Sequence, residues 1–367
     1  MPIRDTESAH HEPADYARTV PEGTWVADHL GRGYSYTSLH HGRDPEADEP
    51  GVDVDGPADL VATLVRYRPE PELFELPRWP FARRRPRTAV LYVHGWSDYF
   101  YNTEIADFWD GLGARFYALD FRRYGRSLRP WQTPGFTTDL AEYDSDLESA
   151  LRTIREDLAD VERIILAGHS TGGLIASLWV DRNPGRVDAL VLNSPWLETH
   201  GSWVVRLAAA GIVDRVARRR PKALVPLPDV DFYWQSLSRQ ASGQWDLHPL
   251  WRPRYAFPIR AGWMAAILEG HARVAAGLHI DVPILVLTSD HTVISTHFTP
   301  EHLQGDSVIE VDVTRQRALR LGPEVTVVSV PDATHDLFAS KPAPRAAAYS
   351  AIRRWATGYV SGLSAPD

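Results

Sequence analysis

The sequence predicts an α/β architecture in which a mostly parallel sheet carries helices on both faces and is interrupted once by a helical insertion. Two patterns lead to this expectation. From residue 88 to 192, short apolar runs suited to strands buried on both faces alternate with segments of helical periodicity. That alternation stops between residues 196 and 279 and resumes near Pro283. A third observation marks the centre of the molecule: Gly168-His169-Ser170-Thr171-Gly172-Gly173 joins the apolar run 163–167 to the helical segment 174–180. The glycines at 168 and 172 stand where strand and helix must pass closely, so a sharp, strained turn is expected at Ser170.

Along the chain, residues 1–23 are polar with scattered proline and charge, and are expected to form a partly ordered arm rather than a domain; His10-His11-Glu12 within it is read as surface. Two antiparallel strands are expected over 34–39 and 59–67, separated by the acidic loop 42–57. Arg83, Arg84 and Arg85 lack interleaved aromatic residues and are read as a solvated connection. The next buried strand, 88–93, ends in His94-Gly95-Trp96-Ser97-Asp98-Tyr99, with a helix from about Asn102. A strand over 116–121 follows, then Arg122-Arg123-Tyr124-Gly125-Arg126-Ser127 and a helix over 138–157. Beyond the turn at Ser170, Asn183-Pro184-Gly185 stops the helix, and a strand over 187–192 closes at Asn193-Ser194-Pro195.

These elements divide the chain into a core domain, residues 24–195 and 280–367, and an insertion, residues 196–279. The insertion holds Trp196, Trp203, Trp234, Trp245, Trp251 and Trp263 together with Phe232, Tyr233 and Tyr255. It is expected to form a cap over the carboxyl ends of the strands, where α/β sheets place their ligands. Most of these aromatics would hold the cap together; Trp234, Trp245 and Trp263 are the candidates to line a substrate pocket. A helix near 202–220 ends in Arg218-Arg219-Arg220. After the insertion, a strand from Pro283 runs to Asp290, a helix is expected near 313–321, and the strand 325–330 leads into Pro331-Asp332-Ala333-Thr334-His335. A helix from Pro344 to about Tyr359 closes the fold.

Composition narrows the chemistry. The 367 residues carry a net charge of −9, which argues against a nucleic-acid partner, because neutralising phosphates needs a dominant basic surface. With no cysteine there is no disulfide, thiolate metal site or cysteine nucleophile, and a cytoplasmic setting is favoured. The histidine and carboxylate pairs have explanations as turn or surface groups, so neither a metal nor another cofactor is expected. No apolar run approaches the roughly 20 residues of a membrane span, and the N-terminus has no signal-peptide h-region, so a soluble, unexported protein is expected.

Ser170, Asp290 and His335 each follow a buried strand directly, so all three should emerge on one edge of the sheet, in the chain order Ser, Asp, His. Here the chain resembles the α/β-hydrolase superfamily, and within it the monoacylglycerol-lipase-like or serine-aminopeptidase-like branch, from about Tyr34 to the C-terminal helix. The resemblance implies an α/β-hydrolase fold with an inserted helical cap. It implies Ser170 as the nucleophile of a G-x-S-x-G turn, Asp290 as the acid after the strand that follows the cap, and His335 as the base. The alternative acid position, one strand earlier, holds Asn193-Ser194-Pro195 and no carboxylate. The family's H-G turn corresponds to His94-Gly95-Trp96, so the resemblance implies an oxyanion hole from the backbone N–H groups of Trp96 and Thr171. Asp120-Phe121-Arg122-Arg123-Tyr124-Gly125-Arg126-Ser127 resembles a D-x-R-x-x-G-x-S segment that is usually structural. In such a triad Ser170 attacks an acyl carbon, His335 carries the proton to the leaving group, and Asp290 holds the imidazole tautomer. The expected activity is hydrolysis of a small-molecule carboxylic ester with an apolar acyl or aromatic group. Amide, thioester and lactone substrates stay open, as does a ligand-binding receptor that retains the hydrolase scaffold.

Overall fold

The computed structural model describes residues 16–54, 56–69, 87–199, 211–226, 228 and 230–360. The expectations for residues 1–15, for Arg83 to Arg85 and for Trp203 lie outside them. Among the described residues the sheet has nine strands: β1 (Val26–Ala27), β2 (Tyr34–Arg43), β3 (Asp59–Tyr67), β4 (Thr88–Val93), β5 (Ala114–Asp120), β6 (Arg163–His169), β7 (Ala189–Asn193), β8 (Ile284–Ser289) and β9 (Val325–Val330). Their spatial order is β1-β2-β3-β5-β4-β6-β7-β8-β9. The opening hairpin is antiparallel, with Tyr34 opposite Tyr67 and Leu39 opposite Ala62, and β3 joins β5 antiparallel. From β5 onward every pairing is parallel.

Alternation within the strands sends side chains to two separate cores. Leu91, Val93, Leu166 and Leu192 face one layer, while Val90, Tyr92, Ile165 and Val191 face the other. That is why the central strands read as unbroken apolar runs: both of their faces are covered. Helices α2 (Asp144–Asp157) and α3 (Thr171–Arg182) contribute Leu147, Leu151, Leu174 and Leu178 to the first core. Helices α1 (Thr103–Gly111) and α8 (Pro342–Tyr359) contribute Ile105, Trp109, Ile352 and Trp355 to the second. The helix expected over 138–157 is in fact a 3-10 turn, Leu140–Tyr143, followed by α2. The Asp139 carboxylate accepts from the Ala141 N–H and starts a tighter turn before the α-helix begins.

Between β7 and β8 the chain leaves the sheet. The described part of this insertion holds α4 (Ile212–Arg219), α5 (Phe232–Leu237) and α6 (Ala261–Ala276). Helix α6 packs on α3 and α4, and Trp263, Met264, Ile267 and Val274 enter the core that α3 shares. After β8, residues 290–310 precede α7 (Val311–Ala318), and β9 and α8 complete the fold. No helix among the described residues is long and apolar enough to cross a membrane.

Candidate active site

Ser170 sits between β6 and α3 with φ 52° and ψ −119°, a left-handed conformation that a non-glycine residue holds only under constraint from its surroundings. The constraint is close packing. A Cβ on Gly172 would lie 2.2 Å from the His94 carbonyl oxygen, and one on Gly168 would lie 2.8 Å from the Gly172 carbonyl oxygen. Strand, turn and helix therefore meet backbone to backbone. Thr171 is the first residue of α3, so its N–H is among those the helix leaves without an internal partner, at the positive end of the dipole.

The Ser170 hydroxyl is 2.9 Å from Nε2 of His335, in the loop after β9. Nδ1 of His335 faces a carboxylate 2.8 Å away, and that carboxylate belongs to Asp306, not Asp290. The Asp306 and His335 side chains are 0% and 1% exposed. The carboxylate that the structure brings to His335 is thus not the expected Asp290, for a local reason. Asp290 directly follows β8, but its side chain, 37% exposed, accepts from the Asp332 N–H and pairs with Nδ1 of the adjacent His291. These contacts hold its carboxyl below the ordinary range against the opposing effect of its partial burial. The chain then makes an excursion over residues 291–305 and returns in a bridge between Thr292 and Asp306. Backbone bonds from Asp306 N–H to the His291 carbonyl and from Val293 N–H to the Asp306 carbonyl clamp this return. One Asp306 oxygen accepts from the N–H groups of Val308 and Ile309, leaving the other for His335. Asp306-Ser307-Val308-Ile309 marks in the sequence a carboxylate able to cap the turn that follows it, but nothing there places that carboxylate beside His335.

The His335 loop is anchored to the end of β7. The Asn193 amide donates to Asp336, and the Leu337 N–H donates to the Asn193 side-chain oxygen. Asp336 accordingly stabilises the loop, and the position that carries no carboxylate after β7 serves as the anchor. His169 donates from Nδ1 to the Asn193 carbonyl and accepts at Nε2 from the Tyr233 hydroxyl, 3.2 Å away. Burial lowers its pKa and so favours the neutral ring, in which Nε2 can accept.

The turn His94-Gly95-Trp96 lies directly beside the serine: a Cβ on Gly95 would be 3.1 Å from the Ser170 Cβ. His94 accepts from the Phe121 N–H at Nε2 and so braces the turn. Asp120 accepts from the N–H groups of Phe100 and Arg126 and from the Arg126 guanidinium, which also pairs with Asp28. The segment from Asp120 to Ser127 is therefore structural, fixing the far end of the same loop.

From Trp96 to Tyr101 this loop is held from above by the insertion. Trp96 packs on Trp263, ring centroids 3.8 Å apart. Ser97 Oγ accepts from the Phe257 N–H, and the Tyr99 hydroxyl accepts from the His248 N–H. Asp98 forms a buried ion pair with Arg252. Burial raises the Asp98 carboxyl, but the Arg252 guanidinium beside it holds it below its ordinary value. Of the three candidate pocket tryptophans, the structure brings only Trp263 to this turn. Trp245 donates to the Ala339 carbonyl and packs on Tyr101, a seam contact. Trp234 lies beneath the half-exposed Arg254 guanidinium. Tyr233, not singled out from the sequence, instead reaches the His335 ring, with centroids 5.1 Å apart. Among the described residues no group of three or more histidines and carboxylates could hold a metal ion.

A family model described as serine aminopeptidase, S33, matches residues 84–339. A monoacylglycerol lipase of Mycolicibacterium smegmatis is 31% identical over 140 residues, 36% of this chain and 46% of that one. A (lyso)-N-acylphosphatidylethanolamine lipase of Homo sapiens is 31% identical over 116 residues, 30% of this chain and 31% of that one. The chain thus spans less than half the length of these two curated relatives. Among solved structures, a Paleococcus ferrophilus monoacylglycerol lipase superposes with a TM-score of 0.55 at 20% identity, covering 75% of this chain and 95% of its own. A thermostable carboxyl esterase from Bacillus coagulans, in complex with glycerol, gives 0.59 at 13% identity, covering 88% and 98%. At such identities the likeness is one of fold, an α/β hydrolase. The family match extends from the strand before the H-G turn, through the Ser170 elbow, to the His335 loop, and the chain belongs to the serine aminopeptidase, S33, family of α/β hydrolases.

Proposed function

We propose that this protein is a serine hydrolase that cleaves carboxylic esters bearing an apolar acyl or aromatic group, through an acyl-enzyme on Ser170. The observation that carries the reading is the hydrogen-bonded line from the Ser170 hydroxyl through His335 to Asp306. In it, His335 takes the serine proton as Oγ attacks the acyl carbon and returns it to the departing alkoxide; Asp306 keeps the ring proton on Nδ1 and stabilises the imidazolium. Water, activated by the same histidine, then releases the acid. The N–H groups of Trp96 and Thr171 bind the oxyanion; their support is the packing of Gly95 on Ser170 and the place of Thr171 at the head of α3.

Residues 196–279 form the cap in this reading, and Trp263 against Trp96 supplies an apolar wall next to the turn. The lipases among the relatives support an ester over other acyl substrates. The reading places the enzyme in the cytoplasm, since a cysteine-free chain has no disulfide framework that calls for an oxidising compartment. The test is labelling by a fluorophosphonate, combined with a screen of esters of increasing chain length, anilides and lactones. Stoichiometric labelling at Ser170, with ester turnover that disappears in Ser170→Ala, is expected. Absence of labelling in folded protein, or labelling elsewhere, refutes the assignment.

A further inference from the structure

The imidazole of His335 is held in its own plane by Ser170 at Nε2 and Asp306 at Nδ1. Two bonds at opposite ends of a ring fix its tautomer but leave it free to tilt about the line joining them. Tilting is limited by what lies against the rest of the ring, and two aromatic rings lie there. His169 packs with centroids 4.9 Å apart, and Tyr233 packs edge-on at 5.1 Å with an interplanar angle of 80°. His169 belongs to β6 and is fixed by the sheet. Tyr233 belongs to α5, in the insertion.

We propose that Tyr233 is a positioning residue, through which the inserted helices hold the His335 imidazole in line with Ser170. The proposal rests on the serine-hydrolase reading above. Tyr233 is itself held at two points. Its hydroxyl donates to Nε2 of His169, and the Arg252 guanidinium lies over its ring, 5.0 Å from the centroid. Arg252 is paired with Asp98 on the loop that follows the H-G turn. The preceding residue of α5, Phe232, packs edge-on against His302, which lies in the excursion that delivers Asp306. One short helix therefore touches the base, the strand end before the nucleophile and the segment bearing the acid.

The ring and the hydroxyl of Tyr233 have separable jobs. The ring walls the imidazole, and the hydroxyl satisfies buried His169. Tyr233→Leu keeps apolar volume without a flat edge, Tyr233→Ala removes both, and Tyr233→Phe keeps the ring alone. In the full-length protein, kcat for a short ester such as p-nitrophenyl acetate and the rate of fluorophosphonate labelling should fall together in the Leu and Ala variants. A loss of up to about a hundredfold is the scale for a reacting group displaced by about an ångström. KM for this small substrate should change little. Tyr233→Phe should restore both rates while melting lower than the parent, because His169 Nε2 loses its donor. Parent rates in both Leu and Ala variants overturn the proposal and leave the hydrolase reading intact. A Phe variant as slow as Ala also overturns it, since the hydroxyl rather than the ring would then matter. A parent protein that is not labelled at Ser170 overturns the hydrolase reading and this inference with it.

Discussion

Asp290 and Asp306 both follow β8, and burial and hydrogen bonding separate them. Asp290 occupies the place expected of an acid, at the strand's end, yet its oxygen serves the Asp332 N–H and His291. Asp306 is delivered by a backbone clamp to His291 and Val293 that no residue pattern announces. Asp306→Asn should therefore leave His335 with the wrong tautomer and lower kcat on the order of 10⁴-fold, the scale of the same change in a serine protease. Asp290→Asn should stay near the parent. Equal losses in the two variants, measured on one ester at one pH, would return the role to Asp290. Ser170 and His335 were legible because each directly follows a strand that periodicity reveals. Asp306 was not, because its position depends on how an irregular loop closes on itself. Tyr233 was hidden for a related reason: in a run of six helical residues, nothing in the sequence tells which aromatic faces His335.

At the scale of elements, the core strands were legible to within a few residues, since a strand buried on both faces must be apolar throughout. β3 falls where it was expected; so does β9, although as the edge strand it is only half-buried rather than covered on both faces, and the closing helix starts two residues earlier than expected. The excursion over 291–305 could not be read in this way, its order resting on the Thr292–Asp306 bridge and a few side-chain bonds rather than on a repeat. The β6–α3 elbow is the element most exposed to a test. Gly172 meets a carbonyl of the β4 turn, a backbone atom that cannot swing aside as a side chain would. Gly172→Ala should force α3 away from His94, at a cost of about 1–3 kcal/mol for overpacking, and should slow Ser170 labelling with it. Gly111, near the end of α1, has no atom within 4 Å of where its Cβ would be. Gly111→Ala should leave labelling unchanged and stability equal or higher. Urea unfolding and labelling rates of the two variants check both halves, and unaltered labelling in Gly172→Ala would show that the close approach does not set the elbow.

Over the whole molecule, the insertion is seated on the sheet domain by polar contacts as much as by aromatic packing, and one of these contacts, Asp98 with Arg252, is an ion pair buried on both sides. The sequence showed the tryptophans but not this pair, because its partners lie far apart in the chain and neither falls in a motif. A buried ion pair is costly to halve: removing one partner strands the other charge, typically losing about 3–5 kcal/mol, whereas replacing both by neutral groups loses much less. Arg252→Met should therefore destabilise strongly, and Asp98→Asn in the same chain should recover a large part, the coupling being read from a double-mutant cycle in urea. The pH dependence gives the sign independently. In the parent, Asp98 is held below its ordinary value of 3.8, so its contribution is present above that pH and is lost as the pH falls through its lowered folded value. Without Arg252, burial alone acts and raises the carboxyl, so the folded state binds a proton more readily than the unfolded one. The deficit of Arg252→Met relative to the parent should accordingly shrink as the solution is acidified from neutrality, and it should not shrink in the double variant. A deficit independent of pH, or one that Asp98→Asn deepens, would mean that the pair does not seat the insertion and that its hydrogen bonds and aromatic contacts hold it in place without it.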